Sequence, residues 1–449
     1  MDTSTLTVAA LVALCKERRI RGYSGKSKAD LVALLTAATT ATVATAATTV
    51  AAIPVTTGPI ALSLFSGAGG DTLGLERAGY TVVAFSEFKA PAIQTHQAAF
   101  PSSTLLQHAG TTDITALPDA TFEPYRGRVQ VLFNGSPCQS YSHAGKKNPD
   151  DPRNELIHQV MRVADIVQPP WILFENVRGL LSRTGRDPVT KATRPVIDIL
   201  KDLFDRHGYK ITYRVLNATS VGVAQVRQRL LLAAHRGPLY PRLPWPSEED
   251  GGALPPIRPF LEAHLTDAME LPVAQIPADL PSRFWIHTDQ TNVTGTPHPN
   301  LVRLVRGIRN ASSKEKAAHP EGPAIIQEPG GLISFGVRKG GYHGEVMDPD
   351  RPSKTIICTY NLCPRLFVGL WNPAVNKRWV RCLTVRELAQ IQGFPADYPW
   401  RGTTKEAIIQ IGNAVPPPLV EHLAKALDHA TFHAEPDYKG VGGEEDEEE

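Results

Sequence analysis

The stretch IALSLFSGAGG, from Ile60 to Gly70, decides the class of fold. Its first part, Ile60–Phe65, is an apolar run typical of a buried strand. Its second part is a cluster of glycines, at which the chain can turn sharply. A helical segment follows, closed by Gly79, and a second strand candidate comes next at Thr81–Ser86. The stretch therefore predicts a strand–turn–helix–strand unit.

The same alternation continues along the chain. Further strand candidates are Val129–Asn134, Trp171–Phe174, Ile211–Leu216 and Leu230–Ala234, with helical segments near 155–167 and 194–207 and again at Val385–Gln392 and Pro418–Leu427. Continuous apolar strands that alternate with helices are typical of a parallel sheet covered on both faces. The predicted fold class is therefore α/β, with a doubly wound, mostly parallel sheet.

Composition shifts divide the chain into six parts. They are a two-helix hairpin with a basic loop (1–36), an Ala/Thr-rich linker (37–58), the main α/β domain (59–237), a smaller irregular domain rich in Pro, Gly and basic residues (238–345), a return to the α/β domain (346–430) and an acidic tail (431–449). Alanine and threonine alone offer little to pack, which is why the second part is predicted to be a linker.

The overall composition is that of an ordinary globular protein, with 42% hydrophobic and 20% charged residues. No long apolar run and no signal-peptide pattern is present, so we expect an intracellular protein, in nucleus or cytoplasm, and not a secreted one. Five cysteines form no CxxC pair, which predicts free thiols and no metal site. The net charge is +2, but without the six acids of Glu444–Glu449 it would be +8. That excess is compatible with a phosphate-rich partner and equally with a solvated tail.

The glycine turn and two acids predict an adenosine cofactor. Glycines at a strand end let a ligand approach the main chain and the following helix N-terminus. Glu87 ends the second strand 20 residues after Gly67, where an acid can accept from ribose hydroxyls, and Asp113 could receive an adenine amino group. Because Thr72 stands where G-x-G-x-x-G has its third glycine, a nicotinamide cofactor is less favoured than another adenosine cofactor.

Reactive side chains follow three other strand candidates. Gly135-Ser136-Pro137-Cys138-Gln139-Ser140 and Glu175-Asn176-Val177 each come after an apolar strand, at the edge where open α/β sheets bind their ligands. Gln225-Val226-Arg227-Gln228-Arg229 precedes a strand, and in an extended chain its two arginines would share a side. Taken singly, each has an ordinary structural explanation: a buried cysteine, a salt-bridged strand end, two surface arginines.

In this order, however, the motifs resemble those of the cytosine-C5 DNA methyltransferase family. The resemblance runs from about residue 60 to 430, omitting the irregular middle, and takes in three further motifs: Asp350-Arg351-Pro352-Ser353-Lys354-Thr355-Ile356, Arg386-Glu387-Leu388 through Gln392-Gly393-Phe394-Pro395, and Gly412-Asn413-Ala414-Val415-Pro416. The chain departs from the family at Ser136, where many members have proline, and at Ser140-Tyr141, where many have Gly-Phe. Neither change removes a reactive group.

The resemblance implies the cofactor, the partner and the site residues. The cofactor would be S-adenosyl-L-methionine, without a metal, held by Phe65, Ser66, Gly67, Gly69, Gly70, Glu87, Phe88, Asp113, Ile114, Pro137 and Asn413. Catalysis would fall to Cys138, Glu175, Arg227 and Arg229. The domain at 238–345 would recognise the target in double-stranded DNA. A cognate restriction endonuclease is a further expected partner, and a monomer is the expected state.

These residues suggest a covalent mechanism. Cytosine C5 is too electron-poor to attack a methyl sulfonium, and addition of the Cys138 thiolate at C6 would make it nucleophilic. Glu175 could protonate or hydrogen-bond N3, and Arg229, with Arg227 nearby, could stabilise O2. Because none of these groups reaches C6 in a stacked duplex, the target base would have to be flipped out.

Three alternatives remain open from the sequence. A tRNA-modifying branch of the same family uses the same chemistry. A catalytically inert DNA-binding scaffold would not need Cys138, Glu175 and Arg229, and a nicotinamide oxidoreductase would leave the Pro-Cys-Gln element unexplained. DNA is favoured by the long middle domain and by the N-terminal hairpin, Leu6–Leu35, which resembles SAP-type DNA-binding motifs or, alternatively, is a protein-interaction hairpin.

Overall fold

The structure is a computed structural model that describes residues 7–8, 11, 27–32, 58–136, 156–187, 190–246, 254–271, 282–306, 326–327, 333–335 and 344–437. Most of the predicted N-terminal hairpin, the linker up to residue 57 and the tail beyond residue 437 lie outside these ranges.

Strands and helices alternate through the first half of the described chain. The strands are β1 (Ile60–Leu64), β2 (Thr81–Phe85), β3 (Thr104–Leu105), β4 (Val131–Asn134), β5 (Trp171–Val177), β6 (Thr184–Arg186), β7 (Thr193–Pro195), β8 (Tyr209–Asn217), β9 (Gln228–Arg236), β10 (Tyr240–Arg242), β11 (Met269–Glu270), β12 (Trp285–His287), β13 (Ile326–Gln327), β14 (Ile333–Phe335), β15 (Gly344–Val346), β16 (Leu366–Asn372), β17 (Lys377–Cys382) and β18 (Thr431–His433). The helices are α1 (Gly70–Arg77), α2 (Ala90–Ala99), α3 (Leu156–Val167), α4 (Val196–Arg206), α5 (Pro299–Arg306), α6 (Val385–Ile391), α7 (Thr404–Asn413) and α8 (Pro417–Ala426).

The central sheet has the strand order β3-β2-β1-β4-β5-β9-β8. The first five of these strands run parallel, and β9 pairs antiparallel with both β5 and β8. The antiparallel pair follows from the short connection between β8 and β9, since parallel neighbours need a long crossover. The predicted α/β class with a mostly parallel sheet is confirmed.

Helices cover both faces of this sheet. On one face, α3 and α4 pack over Leu62, Leu132 and Ile172. On the other, α1 and α8 pack over Ala61 and Val131. Leu62 and Ala61 are sequence neighbours on opposite faces, as the alternation of a strand requires. This is why the central strands carry apolar residues on both faces and not at alternate positions alone.

A second sheet, of order β11-β17-β16-β15-β14-β13, carries β12 beside β16. It extends to Cys382, beyond the boundary predicted at residue 345, because β16 and β17 form an antiparallel hairpin between β11 and β15. The chain then returns to the central sheet through α6, α7 and α8. Among the described residues, no helix is both long and apolar enough to cross a membrane.

Candidate active site

The glycine turn after β1 is tightly packed behind and open in front. Gly69 has φ +89°, and a Cβ there would lie 2.6 Å from the Phe100 ring. A Cβ on Gly70 would lie 2.5 Å from the Val415 carbonyl oxygen. Gly67, with φ +57°, is different, since a Cβ there would meet nothing within 4 Å. The turn therefore requires glycine for its backbone conformation and for close approach, and it presents Gly67 to open space.

Glu87, at the end of β2, binds the front of this turn. Its Oε2 accepts from the Gly67 backbone N–H at 3.0 Å, and its Oε1 accepts from Phe88 and Lys89 N–H, each at 2.8 Å. The Phe88 side chain next to it is 64% exposed. A carboxylate and an aromatic ring thus flank the open side of the turn, where the sequence analysis expects the adenosine moiety.

Ser66 and Phe65 face the protein interior. The Ser66 N–H donates to the Ser86 carbonyl at 3.0 Å, and the Ser66 carbonyl accepts from Gly69 N–H at 2.9 Å. The Ser66 hydroxyl donates to Asp71 Oδ1 at 2.9 Å. Phe65 has φ 58°, and its N–H donates to the Ser86 hydroxyl at 3.1 Å. Ser66, expected to contact the cofactor, therefore has each of these polar groups engaged behind the turn.

Asp113 begins a short 3-10 helix, Ile114–Ala116, beyond β3. Its Oδ1 accepts from the Thr115 N–H at 3.0 Å and from the Thr115 hydroxyl at 2.8 Å. Asp113 is exposed, whereas Ile114 is buried at 4% exposure. Arg162 of α3 donates to the Ile114 carbonyl at 2.8 Å, and so fixes this helix from behind.

The far end of the chain returns to the same place. Asn413 is exposed and is the last residue of α7. Two residues on, the Val415 carbonyl lies against Gly70 of the turn. The fold therefore brings the segment that contains Asn413 to the glycine turn.

The end of β4 lies beside the end of β1. The Gly135 N–H donates to the Leu64 carbonyl at 3.0 Å, and the Asn134 Oδ1 accepts from Ser136 N–H at 2.8 Å. Asn134 Nδ2 and Ser136 Oγ are buried and have no hydrogen-bond partner within the described part of the chain. Pro137 and Cys138, the next two residues, lie outside the described residues. Sequence reasoning missed Asn134, whose only signal is an amide at the end of an apolar strand.

Glu175 and Arg229 form an ion pair on the adjacent strands. Arg229 Nε lies 2.7 Å from Glu175 Oε1, with side chains 13% and 16% exposed. Asn134 of β4 pairs with Phe174 of β5, so Glu175 comes one residue beyond that pair and Cys138 four residues beyond it. The ion pair therefore lies at the edge of the sheet from which the Cys138 segment begins.

Arg227 has other partners than Arg229, although in an extended chain the two arginines would share a side. Its Nη1 donates to the Ile356 carbonyl at 2.9 Å, and its Nη2 donates to the carbonyls of Gly412 and Ala414 at 2.9 and 3.1 Å. Arg227 is 2% exposed, and burial lowers the pKa of its guanidinium. It precedes β9, which begins at Gln228, so the strand alternation does not apply to it. Arg227 therefore donates to main-chain carbonyls of two chain segments, one at Ile356 and one at Gly412 and Ala414, whereas Arg229 pairs with an acid.

Comparison with known proteins identifies the family to which this chain belongs. The model of the C-5 cytosine-specific DNA methylases matches residues 61–429. The type II methyltransferase M1.HphI of Haemophilus parahaemolyticus is 30% identical over 379 residues, which cover 82% of this chain and 86% of that protein. M.FnuDI of Fusobacterium nucleatum is 29% identical over 371 residues, covering 82% and 93%. A solved structure of a DNMT2 variant from Spodoptera frugiperda has a TM-score of 0.52 at 17% identity, covering 82% and 99%, and so shares the fold.

Proposed function

Since this chain belongs to the C-5 cytosine-specific DNA methylase family and methylates cytosine in DNA at C5, we propose that Cys138, Glu175 and Arg229 carry out the reaction with S-adenosyl-L-methionine as donor. The observation that carries this assignment is the Glu175–Arg229 ion pair at the sheet edge from which the Cys138 segment begins. A carboxyl and a guanidinium at that edge can act on N3 and O2 of one pyrimidine ring.

The glycine turn and its neighbours fit the cofactor. When bound, it supplies a methyl group on a sulfonium, open to attack by a carbon nucleophile. Glu87 would accept from the ribose hydroxyls, the exposed Phe88 ring would pack on the adenine, and Asp113 would accept from the adenine amino group. Asn413 would close the pocket, and Pro137 would border it, while Gly67 leaves the space that the ligand needs. Phe65, Ser66, Gly69, Gly70 and Ile114 shape the pocket from behind.

In the reaction, the Cys138 thiolate forms a bond to cytosine C6. The displaced electron pair moves through the ring to N3, which takes a proton from the acid form of Glu175, while Arg229 stabilises charge at O2. C5 is now part of an enamine and can attack the methyl group that the cofactor would supply, with S-adenosyl-L-homocysteine as the leaving group. Removal of the C5 proton by a base then restores the C5–C6 double bond and releases the thiolate, and N3 returns its proton to Glu175.

Access to C6 requires the base to leave the duplex, at a cost of a few kcal/mol that contacts to DNA must offset. We assign those contacts to the domain at 238–345, which includes Arg303 and Arg306 of α5 and continues to Arg309, Lys314 and Lys316 outside the described residues. The relatives named as type II methyltransferases support a cognate restriction endonuclease as a partner.

The test is to incubate the protein with tritiated S-adenosyl-L-methionine and, in parallel, mixed-sequence duplex DNA and total tRNA. We expect label in 5-methylcytosine of the DNA alone. Label in tRNA alone would instead assign the protein to the RNA branch. Absence of label from both, with cofactor binding intact, would favour an inert scaffold.

A further inference from the structure

A chain of buried polar side chains lies directly behind the glycine turn. Asp71, the second residue of α1, accepts hydrogen bonds from the hydroxyls of Ser63 on β1 and Ser66 in the turn. The Ser66 hydroxyl also contacts Thr72 Oγ1 at 3.2 Å, and Thr72 Oγ1 contacts His96 Nε2 at 2.9 Å. All five residues are buried, with Asp71 at 2% exposure. The chain thus connects β1, the turn, α1 and α2.

An ionised carboxylate at Asp71 would fix the direction of every bond in this chain. A carboxylate only accepts, so Ser66 donates to it and must itself accept from Thr72. Thr72 then accepts from a protonated His96 Nε2. In that tautomer His96 Nδ1 is a lone pair, which agrees with its being buried without a hydrogen-bond partner among the described residues. This chain of hydrogen bonds also fixes the backbone of the turn, because the main chain of Ser66 is hydrogen-bonded to Ser86 and Gly69.

We propose that Asp71 is a positioning residue for the cofactor, acting through Ser66 to hold the glycine turn in its open conformation. The inference rests on the proposed function, in which the front of that turn binds S-adenosyl-L-methionine. Asp71 itself does not reach the open side, since it is buried and its carboxylate accepts from the buried hydroxyls of Ser63 and Ser66.

Burial raises the pKa of Asp71 to about 6, against the lowering effect of its hydrogen bonds from Ser63 and Ser66. Other titratable groups lie around it. His96 on α2 has its pKa lowered by burial to about 3, and Tyr398, from the segment after α6, has its pKa raised well above 10 by burial. Glu76 lies on α1 itself, and partial burial raises the pKa of its carboxyl as well, so the Glu76→Gln variant separates its titration from that of Asp71. Glu87 lies across the turn, on Gly67.

The test measures binding of S-adenosylhomocysteine by calorimetry from pH 5 to pH 8, with wild type, Asp71→Asn, Ser66→Ala and Glu76→Gln. We expect wild-type affinity to fall about tenfold from pH 7.5 to pH 5, because only the ionised fraction is competent. Asp71→Asn should bind about tenfold more weakly at pH 7.5 and show a flat profile. Ser66→Ala keeps the carboxylate but removes the link, so its profile should also flatten. Glu76→Gln, a carboxylate change on the same helix, should keep the wild-type profile.

A wild-type pH profile in folded Asp71→Asn or in Ser66→Ala would overturn the inference and leave the cofactor site standing. Absence of binding to the wild type at every pH would overturn the cofactor assignment as well. Circular dichroism of each variant establishes that it is folded. If Asp71→Asn does not fold, the pH profile of Ser66→Ala tests the inference alone.

Discussion

Arg229 Nε lies 2.7 Å from Glu175 Oε1, across the antiparallel pair of β9 and β5. Both side chains are mostly buried but retain some exposure, 13% for Arg229 and 16% for Glu175. A pair of this kind is held in place by the sheet and is still open to a base that enters from the edge. This combination of a fixed geometry and a reachable surface is what proton donation and charge stabilisation at one ring require.

Glu175→Gln tests the proton donor. The amide retains an oxygen for Arg229 and can hydrogen-bond N3, but it cannot transfer a proton. We expect kcat to fall roughly 100- to 10,000-fold, with the affinity for S-adenosylhomocysteine unchanged. Single-turnover methylation of duplex DNA measures the rate. Retention of more than half of the wild-type rate would contradict the assigned role.

The two arginines of the Gln-x-Arg-x-Arg motif give a matched pair of variants. Arg227→Met removes the side-chain donor to the Ile356 and Gly412 carbonyls and one of the two side-chain donors to the Ala414 carbonyl, which also accepts from Gln392. We therefore expect a lower melting temperature and cofactor binding weakened about tenfold or more, with kcat at saturating cofactor less affected. Arg229→Met should do the opposite, lowering kcat and leaving cofactor binding in place. Steady-state kinetics with both substrates separates the two. If Arg227→Met lowered kcat alone, Arg227 would instead be a catalytic residue.

The strands and the glycine turn could be predicted because their signals are local. Apolar runs such as Val131–Asn134 and the glycines after Phe65 specify strand and turn without reference to distant residues. The role of Arg227 could not be predicted, since its partner Gly412 lies 185 residues away. The same holds for the hydrogen bond between Gln225 and Gln392, 167 residues apart.

The buried polar network behind the glycine turn also could not be predicted from the sequence. Asp71 follows the glycines and reads as a helix N-terminal acid, a position where acids are common. Only the packing of α2 against the turn, which brings His96 to Thr72, shows that this acid belongs to a buried chain. The boundary predicted at residue 345 falls within the second sheet, because β16 and β17 carry no signal that distinguishes them from strands of the first sheet.

The stability of the protein should depend on pH through Asp71. Its folded-state pKa of about 6 lies above the ordinary value of 3.8, so its stabilising contribution is present below about pH 4 and is lost as pH rises through 6. At neutral pH the buried carboxylate costs up to about 3 kcal/mol. The melting temperature of Asp71→Asn minus that of the wild type should therefore increase from pH 5 to pH 8. A difference that shrinks over that range would contradict this sign.

The buried ion pair of Arg381 and Glu387 joins the second sheet to α6. Arg381 donates through Nη1 and Nη2 at 2.8 and 2.7 Å, with side chains 1% and 0% exposed, and Glu387 also accepts from the Glu262 N–H. Glu387→Ala leaves a buried guanidinium unpaired, so we expect a loss of roughly 3–5 kcal/mol in the free energy of unfolding. Urea denaturation measures it. Lys425→Ala, at an exposed pair with Glu421, is the control and should change stability by less than about 1 kcal/mol.

Covalent trapping at Cys138 tests directly whether this residue is the nucleophile. Duplex DNA containing 5-fluorocytosine has no C5 proton to lose, so the enzyme that adds to C6 and completes methyl transfer stays attached to it. With S-adenosyl-L-methionine present, we predict a complex of wild-type protein and DNA that survives denaturing electrophoresis and maps by mass spectrometry to the peptide containing Cys138. Cys138→Ser should form no such complex while still binding S-adenosylhomocysteine. An adduct on another residue, or one that persists in Cys138→Ser, would contradict the assignment of Cys138 as the nucleophile.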